Sequence, residues 1–165
     1  MKYTRFEELP VWQAAIELAR EVYGFTENSH LRASLRDQLE RAALSVSNNI
    51  AEGFERGTTN ELLAFLYIAR GSAGEVRSML CFIEGLPSSA SLKSPISSLK
   101  SRSESISRQL RAWAGHLQDS PVKGQRHLTE SSRRVAEQDR KAKSFMADVD
   151  EIVRKSREKR EKPPS

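Results

Sequence analysis

The sequence holds a single cysteine, Cys81, among 165 residues. That excludes an internal disulfide framework and any cysteine-rich zinc site. Its three histidines, His30, His116 and His127, are too dispersed for a metal triad, and none stands in an H-x-x-x-H pair. No apolar run approaches the ~20 residues of a membrane span. The opening Met1-Lys2-Tyr3-Thr4-Arg5-Phe6-Glu7-Glu8 has none of the apolar stretch of a signal peptide. Gly71-Ser72-Ala73-Gly74 lacks the G-K-[ST] ending of a phosphate loop. Alternating strand patterns are missing throughout. These absences predict a soluble all-α protein in a reducing, cytoplasmic setting, with no membrane contact and no cofactor.

What is present is charge, unevenly spread. The chain carries 27 Lys and Arg against 22 Asp and Glu, a net charge of +5. Residues 1–120 hold 14 of each sign, and residues 121–165 hold 13 bases and 8 acids. The whole excess therefore belongs to the last 45 residues. A division into a bundle over 1–120 and a basic tail over 121–165 follows.

The body reads as four amphipathic helices. Pro10 suits a first helical turn, where its missing N–H is unpaired in any case, and Val11, Ala15, Leu18, Val22 and Phe25 recur behind it at helical spacing. Leu31, Leu35, Leu39, Ala42, Val46 and Ile50 form the second apolar face, with Gly53 or Gly57 as its expected left-handed end. Thr58 and Glu61 have capping-box spacing and open the strongest segment: Leu62, Leu66, Ala69, Ala73, Val76, Leu80 and Ile83 at alternating steps of four and three. Gly85 and Pro87 stop it, and Ser88–Ser94 reads as a loop. Ser94-Pro95 supplies a cap and a first-turn proline for Ile96, Leu99, Ser103, Ile106, Leu110, Trp113 and Leu117. An antiparallel up-down four-helix bundle is the expected architecture.

The tail is a weaker helix. Leu128, Val135, Ala142 and Val149 fall seven apart, joined by Phe145 and Ile152, but the positions near Ser131 and Gln138 are polar. A charged, partly helical extension over residues 125–157 lacks the apolar area to fold alone, so it docks on a partner or stays free. Lys123, Arg126, Arg133, Arg134, Arg140, Lys141 and Lys143 are its candidate nucleic-acid contacts. Its eight acids repel the same phosphates, and Phe145 is its one aromatic for base stacking.

A polar stripe runs beside the apolar face of the second helix. Gln38, Arg41, Ser45, Asn49, Glu52 and Arg56 follow at steps of three, four, four, three and four, one narrow band at about 100° per residue. Ser72 and Glu75 answer it on the third helix. Two mid-helix glycines, Gly71 and Gly74, suggest a closely approaching neighbour, since each costs about 0.5–1 kcal/mol relative to alanine. The favoured reading is mutual satisfaction across a helix or subunit contact, with a buried Arg41 paired to Glu75 or Glu52. The sharper one is a ligand or RNA site. Cys81 reads as a buried, inert thiol. Glu52 and Glu75 as a catalytic carboxylate pair lack the E-x-x-H signature of bundle metal sites, so no enzyme activity is expected.

The segment Gln38-Leu39-Glu40-Arg41-Ala42-Ala43-Leu44-Ser45-Val46-Ser47-Asn48-Asn49-Ile50-Ala51-Glu52-Gly53-Phe54-Glu55-Arg56 closely resembles the four-helix-bundle proteins encoded in 23S rRNA intervening sequences. Phe65 to Glu75 is similar to that family's next block, and Leu9-Pro10-Val11-Trp12-Gln13-Ala14-Ala15 to its start. The family in turn resembles the accessory variability protein of diversity-generating retroelements, the partner of a reverse transcriptase. The resemblance implies a homopentameric ring of antiparallel bundles that binds RNA or RNA/DNA, without catalytic residues. It makes Gln38, Arg41, Ser45, Asn49, Glu52, Gly53, Arg56, Ser72 and Glu75 motif positions that hold fold and ring. The expected function is a non-enzymatic, oligomeric nucleic-acid-binding scaffold. The alternative is a protein-interaction module whose tail helix docks on a partner.

Overall fold

A computed structural model describes residues 3–119, together with Gln138, Lys141, Ser144, Phe145 and Met146 further along. The chain divides into two compact units, Met1–Arg126 and His127–Ser165. The described part of the first is helical: α1 (Pro10–Glu27), α2 (Ala33–Glu55), α3 (Thr59–Glu84) and α4 (Lys93–Gln118), with short 3₁₀ turns at Phe6–Glu8 and Pro87–Leu92. No strand is among these elements. In the second unit the five described residues are helical.

The apolar stripes read for the four bundle helices are buried or, at Leu31, Leu35, Trp113 and Leu117, partly buried, whereas Leu128, Val135, Ala142, Val149 and Ile152 of the tail lie outside the described residues and Phe145 is exposed. Ala15, Leu18 and Val22 of α1, Leu39, Val46 and Ile50 of α2, and the α3 seam from Leu62 to Ile83 meet Ile96, Leu99, Ile106 and Leu110 of α4 in one core. α1 packs on α2 and α4, and α3 packs on α2 and α4; among the described residues the two diagonal pairs keep their Cα atoms more than 8 Å apart. Four helices therefore close one cycle of contacts, a helical bundle around a shared apolar axis. Two side chains tie neighbours across that core. Ser103 donates to the carbonyl of Ala73 at 2.7 Å, fully buried, and Thr26 at the end of α1 donates to the Glu40 carboxylate of α2.

The helix ends depart from the sequence reading in three places. α2 ends at Glu55 on Arg56 in extended backbone, and no glycine has a positive φ among the described residues. Gly53 is not a stop but an interior, buried residue of α2. Residues Pro87–Leu92 are a 3₁₀ turn rather than an open loop, and α4 begins at Lys93, so Ser94 does not cap it. Pro95 still sits in the first turn, where several amides lack partners and a missing N–H costs nothing. The start of α3 is as expected: the Glu61 amide donates to the Thr58 hydroxyl at 3.2 Å. That hydroxyl donates in turn to the Glu61 carboxylate at 2.7 Å.

Candidate assembly and nucleic-acid site

The polar stripe of α2 separates into three pieces. At its centre Ser45, Asn49 and Ser72 form a half-buried relay between α2 and α3. Asn49 Nδ2 lies 2.9 Å from Ser45 Oγ, Ser45 Oγ 3.0 Å from Ser72 Oγ, and Ser72 Oγ 3.2 Å from the Ile68 carbonyl. A hydroxyl has one proton. Ser72 spends its own on Ile68, so Ser45 must donate to Ser72 and Asn49 to Ser45. The second Asn49 proton has the Ser45 carbonyl at 2.7 Å. One direction of donation satisfies every group, and the relay fixes the register of α2 on α3.

At the C-terminal end Arg56 Nη2 lies 2.6 Å from Glu52 Oε1, and the guanidinium carbon stands 5.2 Å over the Phe65 ring. The Glu52 hydrogen bond raises the Arg56 pKa further above its already high ordinary value. Glu52 is thus a partner for arginine rather than half of a carboxylate pair. Between the two helices sits Gly53. A Cβ there would lie 2.6 Å from the Cβ of Phe65 and 3.3 Å from Leu62 Cδ1. The close approach expected at Gly71 and Gly74 is therefore found at Gly53. Both of the α3 glycines are exposed, and an added Cβ at either meets nothing within 4 Å.

The N-terminal end differs most from expectation. Arg41 is exposed, not buried, and pairs with neither Glu75 nor Glu52. With Gln38 and Tyr23 it lines a shallow hollow of about 590 Å³. Glu75 is exposed on α3, and among the described residues it makes no ion pair. Two turns before it on the same face stands Ile68, 51% exposed, a large side chain of the kind usually covered. Periodicity located the stripe; which of its members were covered depended on where α3 packs against α2, which a single helix does not encode.

Cys81 is exposed, a second correction. The α3 seam passes through Leu80 and Ile83, leaving Cys81 on the flank facing α4. There Lys100 donates to Glu84 at 2.8 Å, and this bond, with Cys81 adding to it, holds the Lys100 ammonium above its ordinary range. Besides Arg77 one turn earlier on α3, Cys81 thus has a basic neighbour, Lys100, that arrives from another helix. Lys141 is helical and exposed, whereas Lys123, Arg126, Arg133, Arg134, Arg140 and Lys143 lie outside the described residues. Among the described residues no three His, Cys, Asp or Glu side chains gather as a metal would require.

Compared with known families, residues 7–112 match the 23S rRNA-intervening sequence protein. The chain belongs to that family. The family match spans all but the last turns of the bundle and includes every motif position of α2 and α3. It stops before the tail. No curated protein matches the chain. In this intervening-sequence protein the polar stripe thus divides into a half-buried relay, a close helix contact at Gly53 and an outward face bearing Arg41 and Glu75.

Proposed function

We propose that this protein is a non-enzymatic, homo-oligomeric scaffold of the cytoplasm that binds RNA or RNA/DNA, built on an antiparallel up-down bundle. The connections support the topology. Three residues join α2 to α3 and reach at most ~10 Å, far less than the roughly 35 Å length of α2 at 1.5 Å per residue. The observation that carries the assembly is the outward α2–α3 face. Arg41 and Glu75 offer opposite charges without partners among the described residues, and Ile68, on the same face of α3 as Glu75, is exposed. A second copy of the chain covers that apolar surface and pairs those charges; five copies is the number the family resemblance suggests. Specialisation as the accessory subunit of a reverse transcriptase is the narrower form of this reading.

Two measurements test it. Light scattering of the full chain should give a multiple of 18.6 kDa, reduced by Ile68→Asp. Anisotropy of a labelled RNA should show affinity falling steeply with salt, and should weaken when Arg133, Arg134, Arg140, Lys141 and Lys143 become Gln. A monomer, or binding indifferent to salt, rejects the reading. One observation favours a second reading, a protein-docking tail: Phe145 and Met146 are adjacent, helical, and 67% and 57% exposed. It predicts partner binding that is insensitive to salt and abolished by Val149→Asp with Ile152→Asp.

A further inference from the structure

The bundle is neutral by composition, but its charges are sorted. On α3, Arg70, Gly74, Arg77 and Cys81 follow at steps of four, three and four; on α4, Lys93, Ser97, Lys100, Glu104, Arg108 and Arg111 follow at steps of four, three, four, four and three. Such spacing places each set on one stripe. The two stripes face each other, because Gly74, Arg77 and Cys81 of α3 and Ser97, Lys100 and Glu104 of α4 line one groove of about 590 Å³. With Glu84, three residues beyond Cys81, continuing the α3 stripe, six of the bundle's 14 bases stand on these stripes, against two of its 14 acids, Glu84 and Glu104. Those acids bind Lys100 and Arg108 at 2.8 Å and 3.0 Å. Arg70, Arg77, Lys93 and Arg111 have no carboxylate partner among the described residues.

We propose that the α3–α4 groove carries the phosphate backbone of a bound RNA strand, a deepening that rests on the RNA-binding reading above. Three features suit that ligand. The excess of four positive charges runs along the groove rather than in one spot, as a polyanion requires. Ser78, Ser97 and Ser101 add hydroxyls to the lining that make no hydrogen bond within the described chain, and hydroxyls of this kind commonly contact phosphate oxygens. Gly74 opens the floor, with nothing within 4 Å of a Cβ placed there. At one end Gln118 Nε2 donates to Tyr67 Oη at 2.7 Å, linking α4 to α3. This holds a 45% exposed ring where a base can stack.

The test uses the full chain and a fluorescein-labelled 20-nucleotide single-stranded RNA in a salt series. Arg77→Ala with Arg111→Ala should lower the slope of log affinity against log salt by about 1.4, at ~0.7 per phosphate contact, and weaken binding about fivefold per contact at 0.1 M salt. Both side chains are exposed, so the helical signal and the oligomer mass should be unchanged. Glu104→Gln removes a carboxylate from the groove and should tighten binding, a gain that no loss of structure produces. If the unmodified chain binds with a steep salt slope and both variants leave slope and affinity unaltered, the groove is overturned while RNA binding by the tail stands. If the double variant weakens binding only by losing its oligomer mass, the groove is likewise overturned. If the unmodified chain shows no salt-dependent binding, the groove and the RNA reading fall together.

Discussion

Two kinds of glycine sit in this bundle, and substitution should tell them apart. Alanine at Gly53 sets its methyl 2.6 Å from Phe65 Cβ, an atom fixed to the α3 backbone that cannot swing aside. Gly53→Ala should cost about 1–3 kcal/mol, the usual range for overpacking, read as a lower urea midpoint. Gly71→Ala meets open space and should gain about 0.5–1 kcal/mol from helix propensity. A relay member behaves in a third way. Ser45→Ala leaves Ser72 with its Ile68 bond but removes its donor, and takes the acceptor from Asn49. The expected loss is about 1 kcal/mol, one hydrogen bond in a half-buried setting, checked by the same denaturation series.

At the scale of elements, the Lys100–Glu84 pair bonds α4 to α3. Glu84 raises the Lys100 pKa above 10.5, so the ammonium is favoured in the folded state. The contribution is complete below the unfolded value and lost as pH rises through the folded one. The stability difference between the wild type and Lys100→Gln should therefore be flat from pH 6 to 10 and shrink above it, as pH-stepped thermal melts would show. The apolar stripes, Pro10 at the start of α1 and the Thr58–Glu61 cap were legible in the sequence because each is a property of one helix. What was not legible came from pairs of helices. Arg41, in a hollow with Tyr23 of α1, and Cys81, on the flank of α3 toward α4, are exposed because of how pairs of helices meet. The α3–α4 groove is hidden from composition because its excess of bases is balanced by acids elsewhere on the bundle.

Across the whole molecule, the α2–α3 face and the α3–α4 groove occupy opposite flanks of α3. The relay residue Ser72 faces α2, whereas Arg77 and Cys81 line the groove with α4. The proposed assembly and the proposed nucleic-acid binding are then separable. Ile68→Asp should reduce the mass seen by light scattering, while Arg77→Ala with Arg111→Ala should alter the salt slope and leave that mass alone. The cycle of helix contacts has a bearing on kinetics as well. Three of its four long packing contacts join helices consecutive in the chain, and only α1 against α4 closes over distance. Such local topology belongs to the fast-folding class, microseconds to milliseconds. Docking α1 onto α4 is the one step that must close a long loop, so core truncations such as Leu99→Ala, beside Phe25 of α1, should slow refolding more than truncations at the α2–α3 contact.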